Sequence, residues 1–172
     1  MAGSLAQVSK VTLSTPTASV VLTGIDSDHI YMATMSNAQP VTDNKNIVFH
    51  LTKSGSADTT SNYDHSARSL KSNTTFGTTQ GTNSAAHSFA YSCGNGTGEK
   101  ANAILYLYNF NDASEYSFYT VDSSWYSTSP YIIGFQGGVV HTVASASDGV
   151  AWSCESGVNF ATGTEFALYR VT

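Results

Sequence analysis

Hydrophobic and polar positions alternate with a period of two residues over many short segments of this chain. In one segment Ile47, Phe49 and Leu51 are apolar. His50 and Thr52 lie between them and are expected to face solvent. This spacing places the apolar side chains on one face of a strand. No segment keeps apolar residues at the three- and four-residue spacing of a helix, so the pattern predicts an all-β protein.

Glycine, serine, asparagine and aspartate cluster between the alternating segments, as they do at turns. This series of short strands is typical of an antiparallel two-sheet β-sandwich of the jelly-roll kind. The 172 residues fit one domain, with 1–13 as an N-terminal arm or first strand and 14–172 as the sandwich. The predicted strands span residues 8–13, 19–23, 29–35, 46–53, 87–92, 102–110, 116–121, 131–135, 139–145, 149–154 and 166–171.

The predicted strand 102–110 is apolar on both faces. Ile104 and Tyr106 share one face, and Leu105 and Leu107 share the other. Such a strand lies at the centre of a sheet, or a partner subunit covers its second face.

The last predicted strand is also apolar on both faces. Phe166 and Leu168 alternate with Tyr169 and Val171. Two arrangements remain open at this point. Either the strand lies inside the sheet, or Tyr169 and Val171 contact another subunit.

The connection between residues 53 and 87 is long and polar. Compact domains seldom contain a segment of this length without secondary structure. We therefore expect a strand near residues 63–70, followed by a functional or interface loop at the surface.

The composition argues against two classes of partner. The chain has a net charge of -5, and its seven Lys and Arg residues are too few to neutralise a run of phosphates, so nucleic-acid binding is not expected. The longest apolar runs, such as 103–108, are too short to span a membrane. Residues 1–10 lack the pattern of a signal peptide, so neither a membrane nor secretion is expected.

The two cysteines, Cys93 and Cys154, lie in strand-like segments. A disulfide bond between them is geometrically conceivable and would close a long loop. Two buried free thiols are the favoured alternative, because a reducing cytoplasm does not promote the bond.

Residue types that catalyse reactions or bind metals are present but scattered. The histidines lack metal-ligand spacing, and we expect them to face solvent or to make local hydrogen bonds. Glu115 and Glu165 are the carboxylates at predicted strand edges that a glycosidase would need, and nothing in the sequence pairs them. The chain is therefore predicted to be non-enzymatic, without a metal or cofactor. The five histidines are His29, His50, His65, His87 and His141.

Aromatic residues occur in the loop-like, serine-rich stretch 123–131. There, exposed rings of Trp125, Tyr126 and Tyr131 would stack on a sugar or pack on a protein neighbour. The alternative is that Trp125 caps the end of the core.

Several segments together resemble a virion protein family of tailed phages, common among marine phages. They are Ala-Ile-Leu-Tyr-Leu-Tyr-Asn-Phe at 103–110, Gly-Phe-Gln-Gly-Gly at 134–138 and the stretch 156–169, with earlier matches at 22–26 and 46–51. Their order and spacing extend the resemblance over roughly residues 18–172. The two cysteines are not part of this pattern.

The resemblance implies a small β-sandwich component of the capsid decoration or tail fibre apparatus, with no catalytic residues. The expected function is that of a decoration or cement protein on the outer surface of the head, assembled in the host cytoplasm. Its partners would be the major capsid protein or neighbouring virion subunits. The alternative is a tail fibre or receptor-binding domain that recognises a host surface glycan.

The N-terminal residues suggest how such a protein would attach. We expect the arm 1–13 to dock onto a capsid or neighbouring subunit through spaced apolar side chains. A homotrimer would bind through several arms at once and gain avidity. The arm residues proposed for this contact are Leu5, Val8, Val11 and Leu13.

Overall fold

The alternating segments form short strands, as the sequence predicts. The structure is a computed structural model that describes residues 4–73 and 75–172. Within these ranges there is no α-helix, and a single 3-10 turn spans Glu155–Gly157. The strands are β1 Leu5–Thr12, β2 Ser19–Thr23, β3 Tyr31–Ala38, β4 Lys45–Lys53, β5 Ser56–Ala57, β6 Tyr63–Lys71, β7 Phe76–Ser84, β8 His87–Cys93, β9 Ala101–Tyr108, β10 Ser117–Tyr126, β11 Ile132–His141, β12 Gly149–Cys154 and β13 Glu165–Val171.

These strands pair antiparallel in two sheets. The larger sheet has eight strands in the order β1-β13-β3-β9-β10-β11-β6-β7. The smaller sheet has the order β2-β12-β4-β5, and β8 also pairs with β4. The predicted all-β class and the two-sheet sandwich are confirmed.

Large aromatic rings fill the space between the sheets. Phe49 and Trp152 are cross-strand partners in the smaller sheet, with ring centroids 5.4 Å apart. From the larger sheet, Tyr119 lies 4.9 Å from Phe49, and Phe166 lies 5.0 Å from Trp152. Burying a side chain of this size stabilises the fold by about 1.5–3 kcal/mol. The alternation in β4, β10, β12 and β13 thus places one side of each strand in a common core.

Strand β4 is buried on both faces, so the expectation that His50 and Thr52 face solvent is wrong. The connections before β6 and before β12 fold over its C-terminal half. Thr52 Oγ1 donates to Asp148 Oδ1 at 2.7 Å, and the Asp58 backbone N–H donates to the Leu51 carbonyl at 2.9 Å. The hydrogen bond to Asp148 satisfies the Thr52 hydroxyl, which allows this polar side chain to be buried.

The two strands that are apolar on both faces lie inside the larger sheet. Strand β9 is flanked by β3 and β10, and the last strand, β13, is flanked by β1 and β3. The last strand therefore lies inside the sheet, as the first arrangement proposes; pairing covers its two edges, and its outer face with Tyr169 and Val171 is a separate surface.

Three parts of the larger sheet differ from the prediction. The expected surface loop after residue 70 contains strand β7, which is one of the two edges of the sheet. Segments 131–135 and 139–145 do not form two strands, because β11 continues through Gly137 and Gly138. Strand β10 extends to Tyr126, five residues beyond its predicted end.

Candidate functional site

The face of the larger sheet that points away from the smaller sheet, hereafter the outer face, carries most of the exposed large hydrophobic side chains of the described residues. Cross-strand register assigns them to this face, because partners in a ladder project to the same side. They are Leu5, Leu70, Phe76, Ile104, Tyr106, Phe118, Tyr126 and Ile132. Contiguous apolar groups of this kind mark a contact surface.

Four of these side chains form an apolar corner where β10, β11, β6 and β7 meet. Tyr126 is the cross-strand partner of Ile132, and Leu70 is the partner of Phe76. Gly134 is the cross-strand partner of Leu70 and lies two residues from Ile132 on β11. The two pairs are therefore neighbours on the sheet. Tyr126 is 41% exposed and Phe76 is 72% exposed.

A cleft of about 420 Å³ lies on the same face, closer to the other end of β10. Tyr108 and Phe118 are direct cross-strand partners at one side of it. Thr120, Gly138 and Ser66 follow one another across the next row of the sheet. Because Gly138 has no side chain, this row is open at its centre, and a Cβ placed there would meet no atom within 4 Å.

A β-bulge shapes the far side of the cleft. The pairing of β6 with β7 shifts between Tyr63 and His65, and Asn83 adopts a left-handed φ of 53° opposite this shift. The Asp64 Oδ1 atom accepts the Asn83 backbone N–H at 2.8 Å. Bulges often re-aim side chains at functional sites, and here the bulge fixes a carboxylate at the rim.

Two further depressions continue from the cleft across the outer face. The first shares Thr120 with the cleft and holds Asp122 and Gln136, whose side chains hydrogen-bond at 3.0 Å. The second shares Ile104 and Asp122 with the first and ends at Tyr169. The three depressions, hereafter the trough, cross the sheet from β6 to β13, a distance of about 24 Å at roughly 4.8 Å per strand.

Of the two alternatives for Trp125, an exposed contact ring or a part of the core, the structure shows the second. Trp125 is 1% exposed, and its Nε1 atom donates to the Tyr91 carbonyl at 2.7 Å, so its ring is not available to a glycan. It occupies an inward position of β10, beside Phe135 of the core. Tyr131 is half-buried and packs against the core, whereas Tyr126 is exposed in the apolar corner.

Of the two alternatives for residues 1–13, an arm or a first strand, the structure shows a strand, because residues 5–12 form β1 of the larger sheet. Val8 and Val11 pack against the core and Leu13 is buried, so these three side chains cannot dock onto another subunit while the sheet is intact. The prediction is wrong for them because β1 pairs with β13 along nearly its whole length. Leu5 remains exposed on the outer face. Residues 1–3 lie outside the described ranges.

Tyr169 and Val171 lie on the outer face of β13 and are half-buried. Val171 is the cross-strand partner of Leu5. These three side chains lie near the β1 edge, at the opposite side of the sheet from the apolar corner.

The two glutamates considered for glycoside hydrolysis are far apart. Glu115 is exposed in the connection before β10, whereas Glu165 begins β13 near the opposite end of the sheet. Lys10 Nζ contacts Glu165 at 2.9 Å, and the hydrogen bond from Lys10 holds the pKa of that carboxyl below its usual value. In the trough, Asp64 and Asp122 are two strand spacings apart across the sheet and four residues apart along the strand direction, which is about 17 Å by strand geometry. This distance exceeds the separation of glycosidase carboxylates.

A partly buried cluster of ionisable side chains lies at the connection before β6. Lys53 Nζ lies 2.9 Å and His141 Nε2 lies 3.3 Å from Asp58 Oδ2. Burial alone would raise the pKa of Asp58, but hydrogen bonds from Lys53 and Thr60 outweigh it and lower the pKa to about 2. We interpret the role of this cluster as structural, since its contacts hold the connection before β6 in place.

Three of the five histidines, His50, His87 and His141, are buried rather than facing solvent, and of the local hydrogen bonds that are the other expectation His141 makes one, with its Nδ1 atom 3.3 Å from the Val143 carbonyl. Among the described residues, no group of three or more His, Cys, Asp and Glu side chains is arranged to hold a metal ion. Within the same residues no helix is long and apolar enough to cross a membrane.

Neither a family model nor a curated protein matches this chain. Two solved structures show weak likeness. One is a fructofuranosidase from Schwanniomyces occidentalis, with 9% identity and a TM-score of 0.29, covering 98% of this chain and 34% of the fructofuranosidase. The other is the catalytic domain of PdAgaC, with 8% identity and a TM-score of 0.30, covering 90% of this chain and 66% of that domain. The chain thus spans about a third of the first structure, and TM-scores below 0.5 carry no argument about function.

Sequence reasoning did not find the cleft, although part of its signal is present. The sequence predicts that the apolar side of β9 with Ile104 and Tyr106 needs cover, and Tyr108 continues this side. Phe118 continues that surface on β10. The position of Gly138 beside them depends on the register of β10 with β11, which the sequence does not specify.

Proposed function

We propose that the protein is a non-catalytic structural component of a tailed-phage virion, carried on the outer surface of the head as a decoration protein. The phage context is supported by the resemblance of residues 18–172. The contact role is supported by the apolar corner formed by Leu70, Phe76, Tyr126 and Ile132.

The apolar corner fits a protein partner. It lies beside β7, the edge strand, whose outward backbone N–H and C=O groups are available for pairing. Covering a side chain of this size contributes about 1.5–3 kcal/mol, so four adjacent ones can anchor a subunit. We assign this surface to the major capsid protein, and the pair of Leu5 and Val171 near the β1 edge, outside the trough, to a neighbouring copy in a homotrimer.

Particles assembled with Leu70→Ser and Phe76→Ser together test the attachment surface. The double variant should lower the number of copies per particle by about tenfold, because each serine removes an apolar contact. Val21→Ser is a matched control, since Val21 is also exposed but lies on the smaller sheet. Quantitative gels of purified particles measure the copies. Unchanged occupancy of the double variant would contradict the proposed surface.

A second candidate role is that of a tail fibre or receptor-binding domain. The trough favours this alternative, because it offers aromatic rings and hydrogen-bonding groups on an exposed face. A map of the particle separates the two roles, since a decoration protein is repeated over the shell and a fibre domain is present in few copies.

A further inference from the structure

We propose that the trough on the outer face binds a linear, uncharged oligosaccharide, with one sugar ring seated over Gly138. This site is separate from the apolar corner. The proposal does not depend on where the protein sits on a particle, or on whether it belongs to a particle at all.

The cleft over Gly138 has the size and lining of a small-ligand site. Its volume of about 420 Å³ falls within the roughly 300–1,000 Å³ of such sites. Phe118, 44% exposed, and its partner Tyr108 supply aromatic surface. The C–H groups of a pyranose ring carry partial positive charge and pack on the negative face of an aromatic ring. The absence of a side chain at Gly138 leaves room for that ring at the centre of the sheet.

Hydrogen-bonding groups lie beside this apolar surface, as a sugar requires. Asp64 is held at one rim by the Asn83 N–H, and the hydroxyl groups of Ser66 and Thr120 flank Gly138. Farther along the trough, the hydrogen bond between Asp122 and Gln136 fixes both side chains. Few, well-positioned polar groups on an otherwise apolar surface orient a ligand and select it.

The length and charge of the trough define the class of sugar. At about 24 Å it accommodates several linked units rather than one. Asp64 and Asp122 contribute carboxylates to its lining, and Glu165 is ion-paired with Lys10. The exposed Arg68 lies beside the trough opposite Gln136, so the lining has no excess of positive charge. Uronate or sialylated chains would find no surplus of cations there and would place their carboxylates against Asp64 and Asp122, which disfavours them.

Binding of the wild-type protein to immobilised tetrasaccharides tests the proposal. The probes are linear tetrasaccharides of glucose, galactose, mannose and N-acetylglucosamine, with uronate and sialylated oligosaccharides beside them. We expect binding to at least one uncharged probe and none to the anionic ones. Calorimetry with the uncharged probe then gives the dissociation constant.

Substitutions on β11 locate the site. Gly138→Val should weaken binding at least about tenfold, because its side chain fills the cleft. Gly134→Val is the matched control on the same strand and face, outside the cleft, where a Cβ meets only Leu70 at 3.9 Å or more. It should bind like the wild type. Both variants should unfold at the wild-type temperature, so that a loss of binding is not a loss of fold.

Three results would overturn the proposal. The first is no binding of the wild type to any uncharged probe at about 10 mM, weaker than any useful affinity. The second is equal binding by Gly138→Val. The third is a change in oligomeric state on Gly138→Val without saccharide binding, which would assign the trough to a second copy. The virion role is tested on Leu70 and Phe76, so each proposal can fail without the other.

Discussion

The imidazole rings of His65 and His87 lie beside each other between the two sheets, with centroids 5.0 Å apart. His65 belongs to β6 of the larger sheet and His87 to β8 of the smaller one. Both nitrogens of His87 are buried without a hydrogen-bond partner among the described residues. Burial, together with the neighbouring His65, lowers the pKa of His87 to about 3. The fold therefore accommodates His87 only in its neutral form.

We expect the protein to lose stability as the pH falls from about 6.5 towards 4. A histidine whose pKa is lower in the folded state binds fewer protons there than in the unfolded chain. Its stabilising contribution is complete above the unfolded pKa and decreases as the pH approaches the folded one. At pH 4 His87 alone would remove roughly 3 kcal/mol from the free energy of unfolding. Burial also lowers the pKa values of His50, His65 and His141, which adds to the effect. Urea unfolding at a series of pH values measures it.

Substitution of His87 measures how much of the stability loss at low pH comes from this residue. His87→Leu removes the titrating group and two unpaired nitrogens, so stability at pH 7 should be equal or higher and the acid dependence shallower. The exposed His29→Gln serves as the control and should retain the wild-type dependence. A His87→Leu curve parallel to the wild type would show that His87 does not set the acid sensitivity.

Adjacent glycines in β11 should respond oppositely to alanine. A Cβ at Gly137 would lie 2.3 Å from Ala67 Cβ and 2.7 Å from the Ser66 carbonyl oxygen, whereas a Cβ at Gly138 would meet nothing within 4 Å. Gly137→Ala should therefore cost about 2–3 kcal/mol of stability. Gly138→Ala should be neutral or stabilise by about 0.5 kcal/mol, because it restricts the unfolded chain. Thermal unfolding of the two variants compares them, and equal losses would contradict the assignment of their faces.

The sequence predicts those strands whose inward positions are large and apolar. In β4 and β12, Phe49 and Trp152 mark the core side unambiguously. In β7 the pattern fails because the inward positions include Gly77, Thr79 and Gly81, so the edge strand resembles a polar loop. Alternate positions of β7 differ in side-chain size rather than in hydrophobicity.

Ser123 shows why the sequence predicts a loop where β10 ends. Its hydroxyl is buried and donates to the Phe89 carbonyl of β8 at 2.8 Å, which links the two sheets. A serine in an inward position, followed by a second serine facing solvent, has the composition of a turn. Only the partner in the other sheet distinguishes the two cases, and this partner is distant in sequence. The exposed alternative for Trp125 depends on this stretch being a loop.

Trp125 should therefore matter for stability and not for binding. Trp125→Phe keeps the ring in the core but leaves the Tyr91 carbonyl without its donor, at a cost of about 1–3 kcal/mol. Tyr126→Phe, next to it and exposed, should change stability by less than about 0.5 kcal/mol. Denaturant unfolding measures both. A Trp125→Phe variant with wild-type stability would contradict the core role of this residue.

The two cysteines should remain free thiols, even under oxidising conditions. Both are buried, and β4 lies between them, with Lys45 opposite Cys93 on one side and Ile47 opposite Cys154 on the other. Two strand spacings, about 9.5 Å, exceed the Cα separation that a disulfide allows. Burial raises the pKa of Cys154 to about 12 and raises that of Cys93 as well, so neither forms a reactive thiolate at neutral pH.

Labelling with a thiol reagent before and after unfolding tests this prediction. The native protein should react only as fast as it unfolds, and the unfolded protein should react at both thiols. Ser124→Cys, on the exposed side of β10, provides a positive control that should react at once. A mass lower by two hydrogens in the native protein would reveal a disulfide and would require β8 or β12 to leave its pairing with β4, which would contradict the strand order of the smaller sheet.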